Sequence, residues 1–226
     1  MGREREPDVS LVRRERESMT KKYELTENVF TVAMEDLYQI KALQDFGDVK
    51  AGDLGGYVKS EDNLSQRGNC WIYPNAFVYD TAKVSGTSTI KDGAHICGNA
   101  KIENSQISGV DTIICDDALI IDSTVKNGWI HNDSHISNSV INDSEIQGNA
   151  IVVDGYIRKN SDILNINNPK ITFHRYKDGG IVVTYEACGI YKMPLSKFES
   201  GFDGNGELIA CAELARKLLI EKKNGD

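Results

Sequence analysis

From Ile72 the chain repeats one pattern: Ile72, Val78, Val84, Ile90, Ile96 and Ile102 follow one another at intervals of six residues. Two places before each stands a small residue, in order Cys70, Ala76, Ala82, Ser88, Ala94 and Ala100. Segments such as YDTAKV, KDGAHI and GNAKI put Gly, Asn, Asp or Thr just ahead of that small residue. An amphipathic helix needs apolar recurrence near 3.6 residues, and a half-buried strand needs period two. A period of six fits neither alone. It fits a short strand plus a corner, repeated around a coil. Three such sides make a coil of about 18 residues that hydrogen-bonds to the next at about 4.8 Å. Each inward Ile or Val then rests on its counterpart one coil away and contributes roughly 1.5–3 kcal/mol by its burial. The small residue leaves room for the corner, and Asn, Asp and Gly tolerate the turn conformations that precede it.

The column continues through Ile107, Ile114, Ile120, Val125, Ile130, Ile136, Ile141, Ile146, Val152 and Ile157, with a small residue still two places earlier. From Ile120 onward the steps run 5, 5, 6, 5, 5, 6, 5, which shortens the coil and tightens its corners. A five-residue step also suits a four-sided pentapeptide-repeat helix; the recurring six favours three sides.

These repeats occupy residues 54–165 and leave room for three further regions. Residues 1–22 read as a charged flexible arm, in which Met19 is a possible internal start. Residues 23–53 read as an N-terminal β cap, with Tyr38, Ile40 and Ala42 alternating with Gln39 and Lys41 after a turn near Met34–Asp36. The glycines of GDVKAGDLGGYV permit tight turns there. Asn165–Lys170, with Pro169, reads as a linker. Residues 170–224 then form a hairpin plus helix: ITFHRY and IVVTYEA flank KDGG, GIYKMPL adds a third strand, and Glu207–Glu221 is helical. On that helix Leu208, Cys211, Ala212, Ala215, Leu218 and Leu219 share one face. This domain is expected to cover a coil end, which exposes unpaired strand groups, or to mediate self-association.

Composition narrows the function classes. Of 226 residues, 40% are hydrophobic and 27% charged, and no long apolar run predicts a membrane span or a signal sequence. Five cysteines without a CxxC pair suit free thiols in a reducing cytosol, so a cytoplasmic location is expected. The net charge of −8 is uneven: residues 1–22 carry seven Lys/Arg against five Asp/Glu, and the body is acidic. An acidic body disfavours direct nucleic-acid binding.

The outward positions carry the candidate chemistry. On every third repeat one side presents Phe77 and Tyr79, His95 and Cys97, Ile113 and Cys115, Trp129 and His131, then Glu145 and Gln147. A solvated sheet face would be polar, so this apolar and aromatic stripe is expected to be covered by another subunit, by the C-terminal domain or by a target. Phe77, Tyr79, His95, Cys97, Ile113, Cys115, Trp129 and His131 are therefore the interface or binding candidates. The next side adds Leu119, Ile121, Ile151 and Val153 after a charged start, and the third, with Thr89, Lys91, Gln106 and Lys126, is polar. The Cys97, Cys115, His131 column could hold zinc, but side chains in a line with no fourth ligand lack the tetrahedral arrangement, so no metal and no cofactor are expected. The corner aspartates Asp116, Asp117, Asp133 and Asp143 are explained by turn formation. Of the four histidines, His95, His131 and His135 point outward and His174 lies in the C-terminal hairpin. None shows the positioned partner that a general base requires, so no catalytic residue is assigned.

The segment YQIKALQDFGDVKAGDLGGYVKSEDNLSQRGNCWIYPNAFVY resembles the YdcK-like hexapeptide-repeat proteins found in bacteriophages and prophages. The likeness spans about Tyr23–Ile163 and is looser beyond. It implies a left-handed β-helix, a hand that periodicity alone does not give. Such proteins share their fold with hexapeptide acyltransferases, which use a catalytic histidine beside a loop extruded toward a neighbouring subunit. Here spacings between Ile72 and Ile157 never exceed seven residues, leaving no room for that loop. The leading expectation is a non-enzymatic phage or prophage binding scaffold, a trimer that inhibits a host defence protein or sequesters a small signalling ligand. An acyl-CoA-dependent acyltransferase with an interface site is the alternative, and an end-to-end polymer the third.

Overall fold

The computed structural model describes residues 21–32, 34–148, 150–158, 163–167, 170–175, 180–186, 190–201, 212, 215 and 216. The arm before Lys21, including Met19, lies outside them. The repeats form a parallel β-solenoid with three sides. One side stacks Leu54–Val58, Phe77–Val78, His95–Ile96, Ile113–Ile114, Trp129–Ile130 and Glu145–Ile146. A second stacks Trp71–Ile72, Thr89–Ile90, Gln106–Ser108, Thr124–Lys126, Val140–Asn142 and Tyr156–Ile157. The third stacks Lys83–Ser85, Lys101–Glu103, Leu119–Ile121, His135–Ser137 and Ile151–Val153. Three parallel sheets exclude the four-sided alternative. All sixteen aliphatics of the column are buried to 1% exposure or less and form one continuous core.

The corners explain the change of step. Each five-residue step carries one Asn or Asp in the left-handed region: Asn104, Asp122, Asn127, Asn138, Asp143 and Asp154, with φ between 45° and 56°. Six-residue corners hold a two-residue turn instead, as at Asn75, Asp80 or Asp116. Asn and Asp suit this backbone because a short polar side chain bonds locally. Corner side chains also bond to the equivalent corner one coil on: Asn99 to Asp117 at 2.9 Å, 18 residues apart, and Asn127 to Asp143 at 3.0 Å, 16 apart.

Inside one corner runs a serine ladder. The hydroxyls of Ser88, Ser105 and Ser123 each accept the amide of the next coil's serine at 3.1 Å, and the Ser139 hydroxyl accepts from Gly155 at 2.8 Å. Each hydroxyl donates in turn to a carbonyl of its own corner, at 2.6–2.7 Å. The small residues are thus more than space savers. Where the corner turns away from the sheet ladder, they satisfy amides that burial would otherwise leave unpaired.

At the N-terminal end Tyr23–Val32 and Glu35–Ala42 form a hairpin that extends the first side antiparallel. The alternation expected there changes face. Ile40 and Ala42 are buried, but so is Leu37, while Tyr38 is 36% exposed. An irregularity between Gln39 and Lys41 in the pairing with Leu54–Val58 shifts the register and with it the inward face. Gly55 and Gly56 also act differently from a turn: a Cβ on Gly56 would lie 2.4 Å from the Ala76 carbonyl, so their strand needs glycine to approach the first coil. Lys21 and Lys22, placed in the arm from sequence, are anchored. Lys21 pairs with Glu61 at 2.7 Å, and Lys22 is buried because its ammonium bonds to coil carbonyls.

At the other end four antiparallel strands, Ile163–Asn167, Lys170–Arg175, Ile181–Glu186 and Ile190–Pro194, precede a helix at Leu195–Gly201. Ile163–Asn167, divided between repeat and linker from sequence, is a strand of this sheet, because its backbone pairs with Lys170–His174. The Leu195–Gly201 helix was hidden by the strand pattern before Pro194. Of the helix expected over Glu207–Glu221, only Ala212, Ala215 and Arg216 lie among the described residues; they are helical, and both alanines are buried. Phe173, Val183, Leu195 and Phe198 join these alanines in a second core. The opposite face of the sheet meets the last coil, where the Ile151 amide donates to Thr172 Oγ1 at 2.8 Å and Lys192 pairs with Asp154.

Ser123→Ala would leave the buried Ser139 amide without its acceptor and should destabilise the fold by about 1–3 kcal/mol. Lys101→Gln, on the exposed surface, should change stability by no more than about 0.5 kcal/mol. Denaturant melts compare the two directly, and equal midpoints would refute the structural role of the ladder.

Candidate functional site

In-register stacking brings the outward residues of the first side into two columns. Tyr57, Phe77, His95, Ile113, Trp129 and Glu145 are successive Cα partners. Tyr79, Cys97, Cys115, His131 and Gln147 follow them two residues later. In the first column Tyr57 stacks on Phe77 with centroids 5.6 Å apart, and Phe77 on His95 at 4.6 Å. Phe30 of the hairpin continues the cluster, 5.3 Å from Phe77 and 5.6 Å from Tyr57. Sequence gave no sign of Phe30, because it lies outside the repeats and reaches them only through hairpin pairing. These rings cover one another's faces, so the ridge offers mainly edges to a partner. Its apolar exposure is nevertheless high: Phe30 48%, Ile113 38% and Trp129 49%.

The second column is a line of polar groups. Tyr79, Cys97 and Cys115 are electrostatic neighbours along it, and Trp129 adjoins Cys115. Burial pushes the Cys97 thiol up, aided by Asp80 and Asp116. Burial also pushes Cys115 up to about 11, with Cys97 and Asp116 adding to the effect. Burial raises Tyr79 in the same sense and lowers His95, which favours its neutral imidazole. Thiols held this way are protonated at neutral pH and are poor metal ligands or nucleophiles. Among the described residues no cluster of three or more His, Cys, Asp or Glu could hold a metal ion.

One geometry changes the sequence reading. His131, expected to have no partner, sits with its Nε2 3.1 Å from Glu145 Oε1. The imidazole is mostly covered, its side chain 17% exposed, and the Trp129 ring lies 5.2 Å away. Glu145 was visible in the stripe but not as a partner, because it lies diagonally across the coil step, fourteen residues on. Of the other histidines, His95 stacks on Phe77, and buried His174 meets Thr184 Oγ1 at 3.1 Å. Thus Phe77, Tyr79, His95, Cys97, Ile113, Cys115, Trp129 and His131 all lie on one face, and its chemistry is concentrated at the Trp129 end.

No family model matches the chain. A stretch of it is 42% identical over 79 residues to a protein of Escherichia coli (strain K12) described as "Uncharacterized acetyltransferase YdcK". The match covers 32% of this chain and 24% of that protein, so the chain spans about a quarter of the length of this relative. The stretch and the solenoid together fit a hexapeptide-repeat protein. No helix among the described residues is long and apolar enough to cross a membrane.

Because the thiolate is the reactive form, iodoacetamide should label Cys115 far more slowly at pH 8 than it labels an unfolded thiol. With a pKa near 11, the rate should climb about tenfold per pH unit across the range pH 7–9.5. Peptide-level mass spectrometry measures this; a plateau near pH 9 would mean that the thiol is not held by burial.

Proposed function

We propose that the chain is an acyl-CoA-dependent acyltransferase of the hexapeptide-repeat type, with His131 as general base. The observation that carries this reading is the His131–Glu145 contact of 3.1 Å beside Trp129. Glu145 holds the proton on Nε2 and fixes the ring, which leaves Nδ1 to take a proton from an acceptor amine or hydroxyl. The acceptor then attacks the thioester carbonyl, and the coenzyme A thiol departs with a proton. Support also comes from the related stretch in a protein described as an acetyltransferase.

A flat sheet face with no extruded loop supplies only one wall of such a site. The apolar ridge of Phe77, Ile113 and Trp129 is the surface on which a second copy would supply the other, and a trimer is the assembly we propose. A second reading, a binding scaffold directed at a host protein or a small signalling ligand in a phage setting, is favoured by the same exposed ridge. It predicts binding without turnover. End-to-end polymerisation is disfavoured because the C-terminal sheet covers the last coil.

The wild-type protein should release coenzyme A from acetyl-CoA in an acceptor-dependent manner across a panel of amines and hydroxyl compounds. His131→Ala should lower kcat by about 10²–10⁴-fold. Glu145→Gln should lower kcat with little change in KM for acetyl-CoA. Light scattering on the same samples reports whether the active species is a trimer. If the wild type shows no acceptor-dependent release while remaining folded, the scaffold reading replaces this one.

A further inference from the structure

Lys22 and Cys70 have no part in the acyl-transfer reading, yet both are enclosed, at 1% and 0% exposure. Lys22 immediately precedes the first strand of the hairpin, and Cys70 fills the first small position of the repeat column. The Lys22 ammonium donates to the Cys70 carbonyl at 2.8 Å and the Gly68 carbonyl at 3.3 Å, and lies 3.2 Å from Cys70 Sγ. Phe46 covers it, with its ring centre 5.1 Å from Nζ. The thiol is oriented as well, lying 3.4 Å from the Ser65 carbonyl and 3.6 Å from that of Arg67. Nitrogen and sulfur therefore face each other in fixed positions. Burial holds Lys22 below the ordinary lysine value, which makes the neutral, nucleophilic amine more accessible. Arg67, Gly68 and Asn69 above the pair are exposed, so a small oxidant needs to pass only one turn of chain.

We propose that Lys22 and Cys70 are a redox modification site that closes a nitrogen–sulfur bridge when the protein meets a peroxide. In the first step the peroxide O–O bond breaks, one oxygen joins the Cys70 sulfur as a sulfenic acid, and water leaves. Sulfur is oxidised by two electrons and the peroxide is reduced. In the second step the Lys22 lone pair attacks that sulfur, the S–O bond breaks, and the hydroxyl departs as water with a proton from the amine. One peroxide is consumed, two waters form, and the protein loses two hydrogens. A thiol reductant reopens the bridge. The bond ties the start of the hairpin to the first coil and removes freedom from the unfolded chain between them.

The test is a hydrogen peroxide titration of the full chain, followed by tryptic mapping. The expected product is a linked peptide pair lighter by two hydrogens, joining Lys22 to the Cys70 peptide, with no cleavage after Lys22 and full reversal by dithiothreitol. Cys70→Ser and Lys22→Arg should each abolish it, and circular dichroism checks that both variants keep the β fold. Sulfinic acid at Cys70 with normal cleavage after Lys22 would overturn the proposal. So would an unmodified Cys70 at peroxide levels that oxidise a free thiol. Mapping the wild type alone decides the matter should either variant fail to fold.

Discussion

From Trp71 to Ile157 every solenoid strand is only two or three residues long, so its backbone groups can be satisfied only by the coils before and after it. Parallel, in-register pairing between coils is the constraint on which everything else rests. It forces each position to stack on its equivalent sixteen to eighteen residues away, as the corner contacts show. From this follow the aliphatic column inside, the serine ladder at one corner and the Asn/Asp contacts outside. The two ends of the stack must then be closed by something other than another coil. The hairpin, with buried Tyr23 donating to the Leu64 carbonyl at 2.6 Å, closes one end, and the antiparallel C-terminal sheet closes the other.

The same constraint builds the functional face. No strand contributes more than two outward residues here, so the candidate site is assembled from one or two residues of each successive coil. Trp129 and His131 come from one coil and Glu145 from the next. The thiol column beneath them is the opposite case. Burial raises Tyr79, Cys97 and Cys115 and holds them in their protonated forms, which makes them neighbours of His131 rather than reagents.

What the sequence made legible was whatever repeats. The column from Ile72 to Ile157, its small companions and the sorting of outward residues onto three sides could all be read from spacing, because each recurs with the coil. Features set by one unrepeated contact were hidden. The His131–Glu145 pair crosses the step diagonally, Phe30 arrives from a hairpin, and Lys22 is charged yet enclosed by the carbonyls of Gly68 and Cys70. The register irregularity near Gln39 likewise moved Leu37 inward in place of Tyr38. Local pattern cannot report a partner that only the closed end of the coil provides.

The in-register stack is tested most directly by methyl–methyl nuclear Overhauser contacts in protein labelled at Ile and Val methyl groups. The pairings predict cross-peaks between Ile114 and Ile130, Ile130 and Ile146, and Val125 and Ile141. Their absence, with Ile130 instead touching methyl groups of another column, would contradict the stacking and remove the basis for placing His131 beside Glu145.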